Sequence, residues 1–171
     1  MTRYQYARGE RYLDAFTDPD TPTDPRELSD ADLLNCLGVN GDANRSIEEA
    51  TGNDVFKLRS QTPAEWKQLD GVREGMTRKL QALFDLVDMY RNPRKREAQR
   101  RALEAILLKR PELDLVLSAA HGDVFNLSET DHRELLAIDG IGPATVSKLF
   151  ALFELVRRGV EQEEASSTYA A

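Results

Sequence analysis

The 171-residue chain is poor in the residues that usually announce chemistry. It has one cysteine, Cys36, so no internal disulfide can form and nothing points to an oxidising compartment. Its setting in ADLLNCL reads as a small buried hydrophobe rather than a reactive thiol. No secretory h-region is present and no apolar run approaches membrane-spanning length, so a cytoplasmic protein without membrane contact is expected. A Walker loop, a Cys/His cluster and a GxSxG elbow are all missing. The two histidines, His121 and His132, do not have metal-ligand spacing. Seven prolines and ten glycines are too few for a chain disordered throughout. The length allows one domain or two small ones.

Positive charge is scarce overall, and the net charge is −7. It is also concentrated. Residues 91–110, RNPRKREAQRRALEAILLKR, hold eight Arg or Lys against Glu97 and Glu104, a local +6 that leaves −13 for the rest. A polyanion would be drawn to that stretch first.

Near the C-terminus stands Ile138-Asp139-Gly140-Ile141-Gly142-Pro143-Ala144-Thr145, running directly into VSKLFALFELVRR. Two glycines around one apolar residue suit a tight turn. Pro143 suits the first position of a helix, where its missing N–H is no loss. Val146, Leu149, Phe150, Phe153 and Val156 continue with helical spacing, and Leu135 and Ile138 close a shorter helical stretch before the turn. In such a hairpin the amides of Ile141, Gly142, Ala144 and Thr145 point outward at a helix N-terminus, where a phosphate is favoured. The pattern resembles the helix-hairpin-helix (HhH) family of DNA-backbone binders.

The rest of the chain reads in order. TRYQYARGERYLDAF offers Tyr4, Tyr12, Leu13 and Phe16 as an imperfect amphipathic stretch interrupted by Gly9, either a docking helix or a loosely ordered arm, and TDPDTPTDP over 17–25 is a linker. Ser29 with Asp32 approximates a capping box before DADLLNCL. GVNGDANRS reads as a loop and SIEEATG as a short helix ending at glycine. Residues 53–87 then align without gaps to 122–156, 69 residues later, with fourteen identities in 35 positions. That is an internal repeat. Its apolar positions, among them Val55, Phe56, Leu58, Trp66, Leu80, Leu83 and Phe84, are read as core.

The two hairpins differ. The first has Gly71, Val72, Arg73, Glu74 and Gly75, so Arg73 stands where the second has Gly142, and backbone approach to a phosphate is harder. Arg78 and Lys79 could reach an anion by side chain, while Glu74 opposes it. The first hairpin is therefore read as mainly scaffold.

DPRELSDADLLNCL, with DVFKL, a Thr-Pro-x-Glu helix start and a glycine hairpin after it, is similar to the N-terminal domain of the RadC-type DNA-repair family, where an LSDAELLA helix precedes a GIGPAKA hairpin. Residues 28–34 and 134–158 carry the likeness, and the repeat extends it over 26–158. That family continues into a JAB/MPN metalloprotease-like domain with a His-x-His motif, which this sequence lacks. HhH glycosylases place an Asp about 18 residues past the hairpin, but residues 157–165, RRGVEQEEA, contain none. The resemblance thus implies fold and a nucleic-acid context and carries no activity.

The expected fold is all-α, with two tandem HhH units joined by a long basic helix. The expected organisation is an arm and linker (1–27), a first unit (28–91), a connecting helix (92–110), a second unit (111–158) and an acidic tail read as disordered (159–171). The expected function is non-enzymatic, sequence-independent binding of the DNA backbone in repair, recombination or replication. It would use Gly140, Ile141, Gly142, Ala144, Thr145 and Lys148, with Arg157 and Arg158 adding charge and Arg94, Lys95, Arg96, Arg100 and Arg101 as a second strip. A protein-interaction adaptor that keeps the fold without DNA binding is the alternative, and a nuclease subunit a third. No cofactor is expected beyond an optional monovalent cation at the hairpin.

Overall fold

The structure is a computed structural model, and it describes residues 24–92, 98–107 and 110–169. Among these residues every regular element is helical. In chain order they are α1 (Asp30–Cys36), α2 (Gly41–Thr51), α3 (Pro63–Trp66), α4 (Glu74–Arg91), α5 (Gln99–Leu107), α6 (Arg110–Ala119), α7 (His132–Leu136) and α8 (Pro143–Tyr169). Single 3-10 turns precede α3 (Val55–Ser60) and α7 (Val124–Leu127).

Local sequence accounts for most boundaries. Ser29 and Asp32 form the capping box of α1, and Thr62 and Glu65 form that of α3, with Pro63 at its first position. Gly52 ends α2 with φ 62°. The helix expected over 46–52 begins earlier, at Gly41, because residues 41–45 keep buried Ala43 in register with Ile47 and Thr51.

Adding 69 to the α1–α4 positions gives α5–α8, so the repeat is longer than residues 53–87 and 122–156. Asp30 and Gln99 open equivalent helices and do the same work. Asp30 Oδ2 accepts from the Val55 amide at 2.9 Å, and Gln99 Oε1 accepts from the Val124 amide at 2.9 Å. Asp54 and Asp123 each cap the following turn through the amide two residues on. Residues 52, 53, 121 and 122 are all left-handed, as are the hairpin glycines Gly71 (φ 73°) and Gly140 (φ 86°). The second unit therefore starts at Gln99. Instead of one connecting helix over 92–110, the described residues there form α5, the second copy's first helix, with Ala102, Leu103 and Ile106 buried, and Arg110 already opens α6.

The two copies pack reciprocally. α4 lies on α5, its counterpart α8 lies on α1, and α4 and α8 lie on each other. Single contacts repeat the relation. The Tyr90 ring of α4 meets Phe125 edge-on at 5.1 Å, and the equivalent Gly159 of α8 lies against Phe56. Contacts of i on j matched by j on i are those of a twofold dimer, here within one chain. The core runs through both copies, including Leu33, Ile47, Trp66, Leu83, Leu103, Val116 and Leu149. Trp66 is buried, with its indole N–H donating to the Leu58 carbonyl at 2.9 Å.

Over residues 159–169 the expected disordered tail is helix instead. α8 continues to Tyr169 over 27 residues. Glu163 pairs with Arg59 and Arg91, and Gln162 donates to Asp54. Those partners belong to the first copy, so charge expected to be solvated instead joins the two units.

Candidate nucleic-acid interface

The second hairpin is built as a turn between α7 and α8. The Ile141 amide donates to the Ile138 carbonyl at 3.0 Å, closing the turn, and Ile141 is buried. Gly140 holds a left-handed conformation against Leu115 of α6, where an added Cβ would come within 2.6 Å of Leu115 Cδ1. The Thr145 and Val146 amides both donate to the Gly142 carbonyl. Two of the four amides expected to face a ligand, those of Ile141 and Thr145, are thus consumed by the hairpin itself. Among the described residues no acceptor is paired with the amide of Gly142 or Ala144. These two N–H groups stand at the positive end of a 27-residue helix.

Gly142 itself is not left-handed, and a Cβ added there meets nothing within 4 Å. Its side faces open space. The hydroxyl of buried Thr145 donates to Glu112 Oε2 at 3.2 Å, so Thr145 is engaged through both amide and side chain. Lys148 lies one turn further along α8 and makes no ion pair among the described residues. Its repeat partner Lys79 is half-buried and donates to the Leu37 carbonyl at 2.9 Å. Burial, and then the nearby Lys148, push the Lys79 ammonium below its ordinary pKa.

The first hairpin repeats the geometry without the glycine. The Val72 amide closes the turn onto the Leu69 carbonyl, and Met76 and Thr77 donate to the Arg73 carbonyl. Gly71 is pressed on α2, where a Cβ would sit 2.6 Å from the Ala43 nitrogen. Ser46 also donates to the Asp70 carbonyl at 2.7 Å. Arg73 is exposed, Gly75 faces open space, and Arg78 and Lys67 both pair with Glu74. Lys67 and then Arg78 hold the Glu74 carboxyl below its usual range.

The basic strip is only partly described. Arg94, Lys95 and Arg96 lie outside the described residues. Arg100 pairs with Asp114 and with Glu104, which raises its pKa, whereas Arg101 is exposed with no carboxylate partner among the described residues. Arg157 and Arg158 are not spare charge. Both bind Glu154, whose side chain is 6% exposed. Arg157 also takes Glu161, and Arg158 reaches Asp30 at 2.8 Å and the Leu28 carbonyl at 2.7 Å. Burial alone would raise the Glu154 pKa, but the Arg157 and Arg158 hydrogen bonds outweigh it and leave the carboxyl lowered. The sequence signal for this was the i, i+3 and i, i+4 spacing of Glu154 to the two arginines.

Fold and site together define an all-helical protein made of two copies of one hairpin unit, with an open glycine hairpin in the second copy. Comparisons with protein-family models, with curated proteins and with solved structures found no match to this chain.

Proposed function

We propose that the chain binds the phosphodiester backbone of DNA without regard to sequence, through the second hairpin. The observation that carries the reading is the open turn at Gly142. Two neighbouring amides without acceptors stand at a helix N-terminus, beside a glycine that nothing in the fold requires. A phosphate oxygen needs such close approach to the main chain, and the helix end favours its charge. Of the cations expected to assist, Lys148 on α8 and Arg101 on α5 are the described ones that make no ion pair among the described residues. No step of bond-making is assigned to the site. The role proposed is binding, in the repair, recombination or replication context that the HhH and RadC-like pattern suggests.

A gel shift with unrelated duplexes of equal length tests this. Affinity should vary little with sequence and fall steeply with salt, by roughly two orders of magnitude between 50 and 200 mM for about four phosphate contacts. Arg101→Glu with Lys148→Glu should weaken all duplexes alike. Absence of a shift at 50 mM would leave the adaptor reading in its place. That second reading has its own support: Glu112 sits beside the hairpin, and Arg100, Arg157 and Arg158 are already neutralised by carboxylates.

A further inference from the structure

The two copies part company where α4 and α8 cross the opposite unit. Gly159 lets α8 lie directly on Phe56, with room for no Cβ: one would fall 2.6 Å from the Phe56 ring and 2.8 Å from Val87. The equivalent residue of α4 is Tyr90, which places a whole ring between that helix and Phe125. Beyond Gly159, α8 also covers the first copy's groove through Glu163 on Arg59 and Arg91. At the second copy the residues equivalent to Arg59 and Arg91 are Ser128 and Val160, so neither of those two pairs can form. A cavity of about 560 Å³ lies open there, walled by Tyr90, Phe125, Phe150, Phe153, Val156 and Val160.

Two facts indicate what covers it. Asp24, Pro25 and Arg26 already line the cavity, held by Arg158 bonds to the carbonyls of Pro25, Arg26 and Leu28. The chain before Asp24 therefore begins at the rim. The lining also carries five carboxylates, of which Asp24, Glu154, Glu161 and Glu164 already pair with arginines and Glu129 makes no ion pair among the described residues. Residues 1–16 carry Arg3, Arg8 and Arg11 against Glu10 and Asp14, with Tyr4, Tyr12, Leu13 and Phe16 as apolar anchors. Asp18 and Asp20 belong to the proline-spaced linker, outside residues 1–16. From Phe16 to Asp24 the chain can span at most about 29 Å, ample to turn back. A cavity of this size takes a drug-sized apolar group, or one to two aromatic side chains.

We propose that the N-terminal arm, residues 1–16, docks on this groove of its own chain, with Tyr12 and Phe16 entering the aromatic cavity. The arm does for the second copy what the end of α8 does for the first.

The test uses the full chain with a nitroxide on Ala7→Cys. Buried Cys36, its thiol pushed up to about 12 by burial, stays unlabelled. Amide signals of residues 124–129 and 150–161 should lose at least half their intensity relative to the reduced label, and signals of α2 and α3 should not. Adding Tyr12→Ser and Phe16→Ser should restore the lost intensity. The proposal fails if broadening is absent or spread evenly over the molecule, or if the double variant leaves it in place. It also fails if labelled, isotope-silent chain broadens unlabelled ¹⁵N chain equally, since the occupant is then a second copy.

Discussion

Gly71, Gly75 and Gly142 look alike in the sequence, but the fold treats them differently. Gly71 is left-handed and pressed on the α2 backbone, so Gly71→Ala should cost more than about 1 kcal/mol. Gly75 is helical with open space around it, and Gly75→Ala should stabilise by about 0.5–1 kcal/mol. Opposite shifts of the urea midpoint would bear this out, and equal shifts would refute the assignment. Glu154 gives a pH signature. Its folded pKa is depressed, so its stabilisation is present above the unfolded value of 4.5 and is lost as pH falls through the folded value. Glu154→Gln should therefore be less stable by about 1.5–3 kcal/mol at pH 7. The gap to wild type should close in acid below about pH 4.5. A gap that is constant with pH would assign the effect to shape and not to charge.

At the scale of elements, the contact of α8 on the first copy depends on Gly159. Gly159→Val should destabilise by about 1–3 kcal/mol through overpacking on Phe56 and Val87, measured as a lowered denaturation midpoint. Much of the element plan was legible in the sequence. The Ser29 and Thr62 caps, the glycine hairpin with Pro143 opening α8, and the 69-residue repeat all follow from local patterns that tertiary packing did not override. What local patterns hid was the copy boundary. α1 and α5 share a position but few residues, because Asp30 and Gln99 can cap the same amide through different side chains. The C-terminal stretch looked like a solvated tail because its acids find their partners, Arg59 and Arg91, on elements distant in sequence. Outward amides at Ile141 and Thr145 were expected for a similar reason, since the hydrogen bonds that close a turn carry no residue signature.

For the whole molecule, duplication and charge set the account. Reciprocal packing of α4 and α8 on opposite copies builds one hydrophobic core out of two small units. On that core the second hairpin offers the unpaired amides of Gly142 and Ala144 beside a glycine whose side is open, where the first hairpin carries Arg73, and Arg157 and Arg158 are spent on internal carboxylates. Affinity for DNA should therefore come from a few backbone contacts and be modest at physiological salt. The most direct measurement is fluorescence anisotropy of a labelled duplex titrated with wild type and with Gly142→Val, at 50 and 200 mM salt. A Cβ added there meets nothing within 4 Å and the first copy holds Arg73 at the same position, so the fold should be kept, which helicity and melting check. The account predicts salt-sensitive binding by wild type and at least a tenfold loss in the variant; equal binding by the two proteins, or none by wild type at 50 mM, would contradict it.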